Sequence, residues 1–140
     1  MISLYPINTV MKAFKPEGYN SVSPYFIVKG AQKFTDFLMQ VFDAVEKRRY
    51  DHKDGTIMHL EVQVDDSIIM LADASDEWPA TTHIMHVYVK DSDKSFDRAV
   101  ESGCEVLERP TNKNGDPDKR GTFKDAWGNL WSVSTQLADN

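Results

Sequence analysis

Apolar positions change period several times between residues 21 and 72. Val22, Phe26 and Val28 alternate with Ser23, Tyr25 and Ile27, the two-residue repeat of a strand with unlike faces. Gly30 interrupts that run. Ala31, Phe34, Leu38 and Val41 then recur at intervals of three and four, which predicts a helix whose apolar stripe is widened by Phe37 and Phe42. Asp43 is a natural stop, because Asp tolerates the left-handed conformation that closes many helices. Three strand-like segments follow. Val45 to Tyr50 runs into a turn over Asp51 to Gly55. Met58, Leu60, Val62 and Val64 then alternate with His59, Glu61 and Gln63. Asp65-Asp66 turns the chain into Ser67 to Ala72.

The same order then restarts. Met85, Val87 and Val89 alternate with Ile84, His86 and Tyr88, and Asp91 or Ser92 offers a side-chain oxygen to cap a second helix. Phe96, Ala99, Val100 and Cys104 supply that helix's stripe, and Gly103 closes it. Glu105 to Arg109 predicts a short strand, Pro110 to Lys119 a long polar loop that is either a cover for a cavity mouth or an ordinary mobile surface loop. Gly121 to Asp125 and Leu130 to Thr135 complete the set around a turn at Trp127-Gly128-Asn129. The duplication shows in the numbering: Val28 and Val89, Lys33 and Lys94, and Asp36 and Asp97 each differ by 61, and Met70 and Ser132 by 62. The expected architecture is α+β: two βαβββ modules whose sheets form a partly open, barrel-like pair around a cavity, with the helices outside. The boundaries are an arm over 1–20, modules over 21–73 and 83–136, a linker over 74–82 and a tail over 137–140.

Composition narrows the possible partners. With 140 residues and 41% hydrophobic side chains, the chain is long enough to bury roughly 68–70% of its unfolded surface. Its one cysteine allows no internal disulfide. The formal charge of −6 argues against a broad basic face for nucleic acid. No apolar run reaches the ~20 residues of a membrane span. Met1 to Phe14 lacks the apolar stretch of a signal peptide, so the expected location is cytoplasmic.

Several quoted segments together carry a family likeness. They are Ser23-Pro24-Tyr25 with Val28 and Gly30, Asp36-Phe37, Phe42, Met58-His59 with Glu61, and Met70-Leu71-Ala72-Asp73. His86-Val87-Tyr88-Val89, Gly121-Thr122-Phe123, Asp125, Gly128 and Trp131 complete them. On these residues, over about 17–136, the chain resembles the vicinal oxygen chelate superfamily of glyoxalase I, extradiol dioxygenases and bleomycin and fosfomycin resistance proteins. Within it the chain is most similar to the PhnB-like branch. The resemblance implies a metal held by one residue from the first and one from the last strand of each module. Those places fall on Ser23, Met70, Ile84 and Ser132, and none is an imidazole or carboxylate. The expected cofactor is therefore none.

Strand parity proposes the site. If Met58, Leu60, Val62 and Val64 lie under the helix, His59 and Glu61 face the cavity. The same reasoning gives a ligand-binding lining of Tyr25, Ile27, Met70, His86, Tyr88, Phe123 and Ser132. His59 and Glu61 are the catalytic candidates, with mutual hydrogen bonding as the structural alternative. His83 and His52 read as surface residues, Trp131 as core, Cys104 as a small core residue, and Trp127 as an exposed turn tryptophan suited to an interface. Trp78 either caps the pocket or anchors the crossover. Three functions remain open. One is a glyoxalase/bleomycin-resistance-like protein binding a small organic molecule in the inter-module cavity without metal. The others are a metal-dependent lyase, isomerase or dioxygenase, and a metal-free enzyme using His59 and Glu61. A homodimer is expected, with no nucleic-acid or membrane partner.

Overall fold

Alternation and breakers place the elements close to where the pattern puts them. The computed structural model describes residues 13–137, so most of the expected N-terminal arm and the last three residues of the tail lie outside the described residues. The first module comprises β1 (Tyr25–Val28), α1 (Ala31–Phe42), β2 (Val45–Asp51), β3 (Ile57–Val64) and β4 (Ser67–Asp73). The second comprises β5 (Ile84–Tyr88), α2 (Ser92–Glu101), β6 (Glu105–Thr111), β7 (Asp118–Lys124) and β8 (Leu130–Gln136). Asp43 does close α1 in the left-handed region, at φ 55°. Asp91 caps α2 by accepting from the Lys94 amide at 3.1 Å.

Each module forms its own four-stranded mixed sheet, in the orders β1-β4-β3-β2 and β5-β8-β7-β6. Neither sheet closes into a barrel. In both, the first strand lies parallel to the last and the remaining pairs are antiparallel. The duplication extends to single hydrogen bonds. Asp73 at the end of β4 accepts from the Ala31 amide at 2.9 Å, and Thr135 near the end of β8 accepts from the Ser92 amide at 2.9 Å. These pairs stand 61 and 62 residues apart, and each ties the first turn of a helix to its module's last strand. Such ties satisfy amides that helix geometry leaves without internal partners.

The core occupies the helix-side faces of both sheets. Phe26, Val28, Leu60, Val62 and Leu71 from the first sheet, and Phe123, Trp131 and Val133 from the second, are all buried there. Trp131 joins the two halves. Its ring stacks on Phe26 at 5.8 Å and 6° and meets Phe42 of α1 at 5.0 Å, while its Nε1–H donates to the buried Asp125. Trp127 adds a second clasp, with its Nε1–H on the Lys29 carbonyl at 2.7 Å and its ring edge-on to Phe34 at 5.0 Å. The turn tryptophan is thus half-buried between modules rather than exposed. The modules meet through their helix-side faces, so each sheet's other face is its open face.

Two further expectations change in the coordinates. The long loop over Pro110 to Lys119 is mostly hairpin. β6 continues to Thr111, β7 begins at Asp118, and the Asn112 side-chain amide donates to the Asp116 and Asp118 carbonyls across the short connection. In β3, a register shift opposite Tyr50 and Asp51 buries Ile57 and turns Met58 outward to 49% exposure. Among the described residues, no helix is long and apolar enough to cross a membrane.

Candidate functional site

On the open face of the first sheet, Tyr25 stands opposite Met70, and Met70 opposite Glu61. His59 lies two residues along from Glu61 on the same side. Pairing and parity thus bring three polar side chains together, and they bond in series. The Tyr25 hydroxyl lies 2.8 Å from His59 Nδ1, and His59 Nε2 lies 2.8 Å from Glu61 Oε2. The other carboxylate oxygen accepts from the Tyr19 hydroxyl and lies 3.8 Å from Arg48 Nε.

Glu61 is 3% exposed, so its charge has to be balanced locally. Burial pushes its carboxyl upward. Hydrogen bonds from Tyr19 and His59, together with the Arg48 charge, outweigh that and hold it below the usual carboxylate range. With Nε2–H donating to the carboxylate, His59 Nδ1 is placed to accept from the Tyr25 hydroxyl. Burial, and then the Glu61 charge, raises the Tyr25 phenol and keeps it protonated.

Beside this chain opens a cleft of about 1030 Å³. Tyr25, Ile27 and Ala72 form its sheet side, and the outward Met58 adds an apolar flank. The connecting segment supplies Ser75, Asp76, Glu77 and Trp78, with Trp78 67% exposed over the opening. The carboxylate of Asp73, which also borders the cleft, is already engaged by the Ala31 and Ile57 amides. His83 lines the cleft as well. Its ring lies 4.3 Å from Phe26, and its buried Nδ1 has no hydrogen-bond partner among the described residues.

The expected lining is therefore divided. Tyr25 and Ile27 border the cleft, and His59, Glu61 and Met70 share the same open face. His86, Tyr88 and Ser132 sit on the open face of the second sheet and do not line the cleft. There, His86 Nε2 lies 3.1 Å from Ser134 Oγ, and the Tyr88 hydroxyl donates to Asp118 at 2.7 Å, a bond that raises the phenol. Phe123 is on neither open face. It lies fully buried under α2, its ring 5.9 Å from Phe96, because it pairs directly with Trp131 and must share that residue's helix-side orientation. Met58, His52, His83 and the 75–78 segment are cleft residues that strand parity did not select.

The superfamily's metal finds no suitable donor set. Of the four implied places, Ser23 offers only a hydroxyl, Met70 a soft thioether between Tyr25 and Glu61, Ile84 no donor, and Ser132 a hydroxyl beside His86. His59 and Glu61 are committed to each other. No group of three or more His, Cys, Asp or Glu side chains suited to a metal occurs among the described residues.

The two-module topology agrees with the sequence family. The cleft, by contrast, draws its lining from the first module and the connecting segment, with His83 from the second, rather than lying between the modules as expected. The chain belongs to the glyoxalase/bleomycin resistance protein/dioxygenase superfamily, whose family model matches residues 19–133. It is 27% identical over 130 residues to an uncharacterized protein, Mb0911c, of Mycobacterium bovis, covering 85% of each chain. Among solved structures it is similar to TioX from Micromonospora sp. ML1, with a TM-score of 0.66 and 22% identity, covering 83% of this chain and 96% of the other. A PhnB protein from Bacillus cereus gives 0.64 at 14% identity, covering 83% and 99%. TnmS3, an antibiotic binding protein from Streptomyces sp. CB03234, gives 0.62 at 19% identity, covering 84% and 99%. At these identities the structural likeness is one of fold.

Proposed function

We propose that the chain binds a small, flat, cationic organic molecule in the cleft between the first sheet and the connecting segment. The observation that carries this reading is the cleft's composition. Aromatic and apolar surfaces from Tyr25, Ile27, Met58 and Trp78 stand beside the carboxylates of Asp76 and Glu77, with no lysine or arginine in the lining. Aromatic faces favour flat and cationic ligands, and the chain's net charge of −6 adds long-range attraction. The cleft volume falls at the upper end for small-molecule sites. The similarity to TnmS3, described as an antibiotic binding protein, supports this class of ligand.

The working form is a homodimer in the cytoplasm. The open face of the second sheet exposes Ile84 (81%) and Tyr88 (61%), surface that a second copy would cover. A single cysteine suits a reducing compartment. Titration of the purified chain with N-methylquinolinium, followed by tryptophan fluorescence, tests the binding reading. Trp78→Ala is expected to weaken binding about tenfold. Equal affinity for the anion 1-naphthalenesulfonate, or no effect of Trp78→Ala, would contradict it.

A further inference from the structure

We propose that Tyr25, His59 and Glu61 form a proton relay that takes a proton from a hydroxyl group on the cleft's ligand. The inference rests on the binding reading above and adds a reaction to it. Its geometric basis is a continuous hydrogen-bonded series with one end at the cleft wall and the other at a buried carboxylate. Tyr25 borders the cleft, its hydroxyl is 2.8 Å from His59 Nδ1, and His59 Nε2 is 2.8 Å from Glu61 Oε2.

The proton count closes within the site. A ligand O–H gives its proton to the Tyr25 oxygen while the Tyr25 proton passes to His59 Nδ1. The O–H bonds of the ligand and of Tyr25 break; a new O–H bond forms on Tyr25 and an N–H bond on His59. The ligand becomes a phenolate-type anion, and His59 becomes an imidazolium beside the Glu61 carboxylate. Tyr25 ends as it began, so its high phenol pKa is no obstacle, since no free tyrosinate accumulates. No oxidant or reductant is needed.

Groups of both signs surround His59. Glu61 lies along its own strand and Tyr25 across on β1, while Tyr50 of β2 places its ring 6.4 Å from the imidazole. Arg48 of β2 and Tyr19 of the leading segment face Glu61, and Met70 of β4 pairs with Glu61 as an apolar neighbour. A fixed carboxylate aimed at a base that becomes positive is preorganised electrostatic support. Tyr25 is the group that meets the ligand; His59 and Glu61 act through it. Tyr25, the first member of the series, is itself a lining residue of the cleft.

The test uses N-methyl-6-hydroxyquinolinium, a flat cation whose hydroxyl ionises near neutral pH with a change in its absorption band. Bound to the wild-type protein, its ionisation midpoint is expected to fall by about one pH unit relative to the free dye. Tyr25→Phe, which keeps the ring, and His59→Gln, which keeps hydrogen-bonding capacity, are each expected to abolish that shift. His59 does not line the cleft, so His59→Gln should bind N-methylquinolinium, which has no hydroxyl, within about threefold of the wild type, showing that the cleft is retained. A bound dye that titrates like the free dye in the wild type overturns the relay, as does a shift that survives in His59→Gln. Failure of both dyes to bind instead overturns the cleft reading, and the relay with it.

Discussion

Glu61 shows how one buried charge organises a face. Three groups from three places in the chain converge on its carboxylate, Tyr19 and His59 by hydrogen bonds and Arg48 by charge, and together they lower its pKa although burial alone would raise it. Linkage fixes the sign of its effect on stability. The folded-state value lies below the ordinary 4.5, so the contribution is complete above that value and is lost as pH falls through the depressed folded one. Glu61→Gln should cost about 1–3 kcal/mol at neutral pH and flatten this part of the acid dependence, measured by urea unfolding across the pH range. His59 and Glu61 were legible as neighbours because the period of β3 is unambiguous from Leu60 to Val64. Cys104 is the opposite case: half-buried, with its thiol pushed up to about 12 by burial and then by Asp125, it is an inert packing residue.

At the scale of elements, the sequence recovered what is periodic and missed what depends on register. Both helices, their stops and the order of the strands follow from spacing and caps. The bulge that turns Met58 into the cleft breaks the parity rule from within, since one extra residue reverses the direction of its neighbours. Phe123 was misassigned for a related reason: alternation along β7 does not say which residue of β8 it faces, and the pairing with Trp131 decides its side. His83 and residues 75–78 carry no period at all, so only tertiary placement reveals them as cleft residues. Close approach between elements gives a direct check. A Cβ on Gly121 would stand 2.9 Å from both the Phe96 ring and Pro110, joining α2, β6 and β7 at one crowded point. Gly121→Ala should destabilise the chain by about 1–3 kcal/mol in urea unfolding, with little change at the distant cleft. A neutral result would mean that these side chains yield freely.

For the molecule as a whole, the two modules are joined by their greasy sides, through Trp131 on Phe26 and Trp127 on α1, and present two unlike open faces. One carries the Tyr25–His59–Glu61 hydrogen-bond series and borders the cleft; the other exposes Ile84 and Tyr88. Sedimentation equilibrium is expected to find a dimer that Ile84→Asp converts to monomer, and a wild-type monomer at high concentration would remove the dimer from the account. The central claim, that ligand enters between the first sheet and segment 75–78, has a more direct test. Amide chemical-shift mapping of the wild-type chain titrated with N-methylquinolinium should show changes centred on Tyr25, Ile27, Met58 and Trp78, with Val133 and Phe123 undisturbed. Changes confined to the second sheet, or none at saturating dye, would contradict it.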